Sequence, residues 1–237
     1  MVGTPQIIIP VSILEGHVVS ETLIEFLSSV PIVVLGYHEI PEQTLPEQAQ
    51  DEFGDRASEE LADLEDAFES YDATVETELV FTHDLAQAIQ QVVEDVDRGV
   101  VCHPNPVQNV ENVLVEVRRP ELVPAITATI TALVGPTDAT ITLLYAGDED
   151  EETGHRTLSG IATTLEEAGI SDQRISQVTE RTADPETTIL DRADRQDLFI
   201  LGEDDPSFLN WIFGEMSERI AERTLAPVLV VQRPFEE

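Results

Sequence analysis

Two short stretches near the end of the chain are apolar at every position. Leu198-Phe199-Ile200-Leu201 is closed by Gly202, and Val228-Leu229-Val230-Val231 is bracketed by Ala226-Pro227 and Arg233-Pro234. A strand with one wet face alternates apolar and polar residues. A strand without alternation must be covered on both faces, as in a parallel sheet sandwiched between helices. Between the runs, Ile212, Met216 and Ile220 recur at helical spacing with Glu215, Glu218, Arg219 and Glu222 on the other side, which predicts an amphipathic crossover helix. Strand, glycine turn, helix and strand joined this closely make a right-handed βαβ unit.

The same grammar runs through the rest of the chain. Gln6–Val11 reads as a buried strand, Ser20-Glu21 opens a helix that Pro31 ends, and Ile32–His38 is a second strand. A long acidic helix from about Asp51 to Ser70 turns Phe53, Ala57, Leu61, Leu64 and Phe68 inward, followed by an alternating strand from Thr74 to Phe81. Asp84 caps a helix through Val96, and Arg98–Cys102 is the fourth strand. His103-Pro104-Asn105-Pro106 then forms a stiff linker where a crossover helix would be expected. Asn112–Val117 restarts the pattern. It continues with a helix from Glu121 to Leu133, a strand at Ala139–Tyr145, a helix from about Thr153 to Ala168, a strand near Ile175–Thr182 and a helix from Pro185 to Arg195.

The order repeats after about one hundred residues. This predicts an α/β fold of two Rossmann-like, doubly wound parallel-sheet domains in tandem, residues 1–108 and 109–237, the first lacking its last helix and strand. Val113–Val117 could instead serve the first half as its fifth strand.

Composition narrows the function. Forty-eight acidic residues face 12 basic ones, all arginine, for a formal charge of −36. Such a field repels nucleic acid and anionic membranes, and it fits a halophile's solvated surface, because salt at 1 M shortens the Debye length to about 3 Å. Cys102, the one cysteine, lies in an apolar run and reads as a small buried hydrophobe. No positively charged leader and no apolar run of membrane-spanning length is visible, so a cytoplasmic protein is expected. The five histidines are scattered, which predicts no metal site, and no Ser-His-Asp or Gly-x-Ser-x-Gly set predicts an enzyme.

The ending carries a family resemblance. Gly202, Gly214, Ser217-Glu218-Arg219-Ile220 and Ala226-Pro227-Val228-Leu229-Val230-Val231 resemble the close of universal stress proteins: a strand, a Gly-x2-Gly-x9-Gly-Ser/Thr loop, a helix and a Pro-Val-Leu-Val-Val strand. The element order is similar over nearly the whole chain. The resemblance implies the adenine nucleotide alpha hydrolase-like fold, with ATP outside the carboxyl ends of the strands and its phosphates on the glycine loop. Gly202, Gly214 and Ser217 are then the candidate ligand residues. This chain departs from the pattern at Asp205 and Glu215, which replace the middle glycine and the Ser/Thr, and at Arg118, which stands in the place of an acidic residue. Glu203, Asp204 and Asp205 would meet phosphates with three carboxylates, each close like-charge pair costing about 4 kcal/mol before screening.

The expectation is therefore a non-enzymatic regulatory or stress-response module with a degenerate ATP loop and no cofactor. An ATP or AMP sensor, a divergent nucleotide-dependent hydrolase and a purely structural module are the alternatives. With no fifth strand in the first half, Val228–Val231 is expected to lie at an unpaired edge and to join a second copy in a homodimer.

Overall fold

The computed structural model describes residues 3–16, 19–96, 98–117, 120–147, 151–193, 195–202 and 226–232. Its strands are β1 (Gln6–Ser12), β2 (Ile32–Glu39), β3 (Val75–Thr82), β4 (Gly99–His103), β5 (Asn112–Glu116), β6 (Thr140–Gly147), β7 (Ile175–Arg181), β8 (Leu198–Gly202) and β9 (Val228–Val231). They form one nine-stranded sheet in the order β3-β2-β1-β4-β9-β8-β5-β6-β7. Read outward from β9, the flanks run β4-β1-β2-β3 and β8-β5-β6-β7, the same order twice. Among the described residues the helices are α1 (Glu21–Leu27), α2 (Pro46–Glu69), α3 (Leu85–Glu94), α4 (Val123–Leu133), α5 (Glu151–Glu167) and α6 (Pro185–Ala193).

The apolar runs are covered on both faces, as their lack of alternation requires. Ile7, Ile9, Val34, Val113, Val115, Ile200 and Leu229 share one core with residues of α1, α2, α4 and α5. Ile8, Val33, Leu114, Phe199, Leu201, Val228 and Val230 share the other with α3 and with Ile189 of α6. Each fully buried Ile, Leu or Val contributes about 1.5–3 kcal/mol by leaving water. Cys102 is fully buried in the first core, and burial pushes its thiol pKa up, so it packs as a hydrophobe. The α2 residues Ala57, Leu61 and Phe68 are buried as their spacing predicts, with Phe53 and Leu64 packed beside them. The helix begins at Pro46, five residues before the predicted start, because proline suits the first helical position and the Gln48 side chain accepts from the Leu45 N–H at 3.4 Å.

Two outcomes concern β5 and β9. Val113–Glu116 pairs in parallel with β6 on one side and β8 on the other, so the strand belongs to the second half. Asp197 helps to set this register. Its carboxylate accepts from the backbone N–H groups of Glu111 and Asn112 at 3.1 and 2.9 Å.

The larger correction is β9. It pairs in parallel with β8, Phe199 opposite Val228, and antiparallel with β4, Val101 opposite Val230 and Cys102 opposite Leu229. Both its edges are filled within the chain. The homodimer expected through Val228–Val231 thus has no free edge there to use, and the outer strands of the sheet are β3 and β7. The missing fifth strand of the first half explains the difference: β4 would otherwise be an open edge, and β9 closes it while also completing its own half. No helix among the described residues is long and apolar enough to cross a membrane.

Candidate functional site

In an open α/β sheet the crevice for a ligand lies beyond the carboxyl ends of the strands, where the strand connections switch direction. There are two such places here, between β1 and β4 and between β5 and β8. Because β9 runs antiparallel to β4, they lie at opposite ends of the strands.

In the first half, β1 ends on Ser12, which is 3 % exposed, and β2 ends on Tyr37, His38 and Glu39. The Tyr37 hydroxyl is pushed up to about 12, first by burial and then by Glu39 and Glu15, against a hydrogen bond with Ser12 that lowers it. Two carboxylates thus already bear on this strand end.

The linker after His103 lies across the same end. The Asn105 side-chain amide donates to the Ala226 carbonyl at 3.0 Å, the Val107 N–H donates to the Ser20 hydroxyl at 3.3 Å, and the Thr22 hydroxyl donates to the Gln108 carbonyl at 3.2 Å. Ser20 is the residue before α1, as predicted, but its hydroxyl makes no cap to its own helix. The linker has taken it. The start of α1 is therefore tied to the linker backbone through the side chains of Ser20 and Thr22.

In the second half, β5 ends on Glu116, which is fully buried, and a short turn at Pro120–Leu122 leads into α4. Gly202, the first glycine of the candidate loop, closes β8. A Cβ there would sit 2.8 Å from Ile126 Cδ1 and 3.0 Å from Leu122 Cδ1. The close approach of the turn and α4 to the strand favours a glycine here, a packing reason independent of any ligand. Gly202→Ala is expected to lower stability by about 1–3 kcal/mol through overpacking, read by denaturant unfolding. An unchanged midpoint would show that Leu122 and Ile126 can step aside.

Gly214 and Ser217 lie outside the described residues, as do Arg118, Arg119, Glu203–Asp205 and Glu215. Among the described residues no group of histidine, cysteine and carboxylates is placed to hold a metal ion. The residues that sequence reading missed are Asn105, Ser20 and Thr22. The only available signal was Asn105 between two prolines, a side-chain donor on a stiff segment.

No protein-family model and no curated protein matches the sequence. Solved structures do match in fold. A universal stress protein from Archaeoglobus fulgidus DSM 4304 superposes with a TM-score of 0.66 at 15 % identity, over 98 % of this chain and 97 % of that one. The cytoplasmic domain of a prokaryotic cation chloride cotransporter gives 0.53 at 10 % identity, over 99 % and 98 %. A functionally unknown protein from Pseudomonas aeruginosa PAO1 gives 0.51 at 14 % identity, over 98 % and 94 %. Identities this low carry the fold alone: a mixed α/β, Rossmann-like sheet of the kind found in universal stress proteins.

Proposed function

We propose that this chain is a universal stress protein-type regulatory module of tandem build, cytoplasmic and non-enzymatic, whose strand-end loops hold the chain itself in place of a nucleotide. The observation that carries the reading is the His103–Gln108 linker, bonded to Ser20, Thr22 and Ala226 across the first crevice. The linker lays its own backbone over the start of α1, held there by the Ser20 and Thr22 hydroxyls, where a ligand of the first half would have to enter. At the second crevice Gly202 has a packing reason of its own, with Ile126 Cδ1 and Leu122 Cδ1 2.8 and 3.0 Å from where a Cβ would sit. The run Glu203-Asp204-Asp205 adds like charge just beyond it. ATP does not fit such a set, and no chemical step is assigned to it.

Calorimetric titration of the full chain with ATP, AMP and cyclic dinucleotides in multimolar KCl tests the proposal. The expected result is no saturable heat, or binding weaker than about 1 mM. Micromolar ATP affinity would overturn it and make Gly202, Gly214 and Ser217 the residues to substitute next. Phosphate release from ATP above the buffer rate would instead favour the hydrolase alternative.

The end-to-end likeness to the cotransporter's cytoplasmic domain favours a second reading, in which the module acts on a membrane protein. A charge of −36 rules out anionic lipid as the docking surface, so this reading predicts binding to membranes that carry protein and none to protein-free vesicles.

A further inference from the structure

With β4 closed by β9, the sheet has two outer strands, β3 and β7, and they are guarded differently. β3 packs beside the acidic α2 and exposes Glu76 and Glu78. Pairing it with its own copy about Glu76, Thr77 or Glu78 would set glutamate against glutamate, the usual defence of an edge. β7 reads Ile175-Ser176-Gln177-Val178-Thr179-Glu180-Arg181 and exposes Ser176, Gln177 and Arg181. Its single acid, Glu180, is matched inside the chain by Arg192 at 2.7 Å and is followed by Arg181. In a chain of charge −36, this edge carries no net charge of its own.

The backbone of β7 is equally open. The Thr182 N–H donates to the Gly147 carbonyl at 2.9 Å, and backbone groups alternate sides along a strand. Ser176, Val178 and Glu180 therefore turn theirs toward β6, while Gln177 and Thr179 turn theirs outward, where no strand among the described residues takes them. Ile175 spends its N–H on the Asp172 carbonyl, so what it offers outward is its own carbonyl.

We propose that β7 is the surface on which two copies of this chain meet, antiparallel about a two-fold axis at Val178. About that axis Gln177 and Thr179 of opposite copies exchange both bonds, and the Arg181 N–H reaches the Ile175 carbonyl. That gives about six hydrogen bonds, within the range of an ordinary interface. Val178 meets Val178, Gln177 faces Thr179, Ser176 faces Glu180 and Ile175 faces Arg181, so no like charges are opposed. Val178 is half-buried on the core shared with α3 and α6, and its own copy covers the remainder. An axis one residue earlier would put Val178 against Ser176, and one residue later against Glu180. A second copy is the occupant that fits, because each side chain finds its complement in the same sequence read backwards. Molar salt screens the repulsion between the two acidic bodies beyond the strand.

Light scattering of the full chain in molar KCl should give about twice the 26.1 kDa of one chain. Thr179→Pro removes an N–H that the chain's own sheet does not use, so it should halve the mass and leave the far-ultraviolet circular dichroism unchanged. On β3, where Thr74 and Thr82 turn their carbonyls inward to Ile32 and Ile40, Thr77→Pro is the equivalent change and should leave the dimer intact. Mild oxidation should link two chains of the Val178→Cys variant, because a non-hydrogen-bonded antiparallel pair brings its Cα atoms to about 4.5 Å, within disulfide reach. Ser176→Cys places its two thiols about 13 Å apart along the strands and should give no link. Cys102 is buried and adds none. A monomeric wild type, a dimer that survives Thr179→Pro or is lost in Thr77→Pro, or equal linking of the two cysteine variants would overturn the proposal. Should Thr179→Pro fail to fold, the wild-type mass and the cysteine pair still decide.

Discussion

Val230→Pro is expected to destabilise the folded chain by about 3 kcal/mol and to leave the mass of whatever remains folded unchanged. On an outer strand, alternate N–H groups face solvent and can be dispensed with. Val230 has no such freedom, because β4 lies on one side of it and β8 on the other, so its N–H belongs to a ladder whichever way it points. Proline removes that donor, leaves a buried carbonyl without its partner and forces its ring against a fully packed neighbour. For a chain of this length, about 3 kcal/mol corresponds to a fall of roughly 6 to 12 °C in the melting temperature. Scanning calorimetry and light scattering in high salt read the two parts separately. Unchanged melting with a halved mass would put β9 back at an outer edge between two copies, and the strand order described above would be wrong.

The same strand shows what local pattern can and cannot tell. Val228–Val231 is apolar at each position, and that alone fixes burial on both faces, which the two cores confirm. Its β8 neighbour is the one the βαβ pattern supplies, but its β4 neighbour is decided by contacts more than a hundred residues away, Val101 against Val230 among them, and no periodicity encodes those. Antiparallel joining of two parallel halves is harder still to see, since within each half every strand reads as parallel to the next. The linker fails for a related reason. His103-Pro104-Asn105-Pro106 is recognisably stiff, but its bonds to Ser20 and Ala226 depend on where the first and last segments of the chain have been brought. Ser20 is the right residue in the right place to start α1; its hydroxyl went to a distant N–H that competes with the local one. Gly202 shows a further limit of local pattern: a glycine after a strand suggests a phosphate loop, and the folded chain adds a packing reason, from Ile126 and Leu122, that the pattern does not contain.

Lowering the salt is expected to have the largest effect of all: loss of the fold in about 10 mM KCl and recovery near 1 M. At 10 mM the Debye length is about 30 Å, so charges across the whole molecule repel one another; at 1 M it is about 3 Å, and only near neighbours do. The structure shows why the repulsion is poorly offset. On α2, Asp51, Asp55, Glu59 and Asp63 are exposed at successive four-residue steps, each like-charged pair unfavourable by about 0.2–0.5 kcal/mol. One arginine serves that helix, with Arg56 Nε 2.9 Å from Glu60, and the comparable Arg156–Glu152 pair on α5 is exposed and contributes little. Twelve arginines cannot neutralise 48 acids, and the excess is small only when salt makes it so. Far-ultraviolet circular dichroism across a KCl series measures the transition. Replacing Asp55 and Glu59 by lysine should move its midpoint to lower salt, because the substitution removes two like charges and creates favourable pairs with Asp51 and Asp63 on the same helical face. A fold that persists unchanged at 10 mM would mean that the two cores alone outweigh a charge of −36, and that the acidic surface answers to solubility and not to stability.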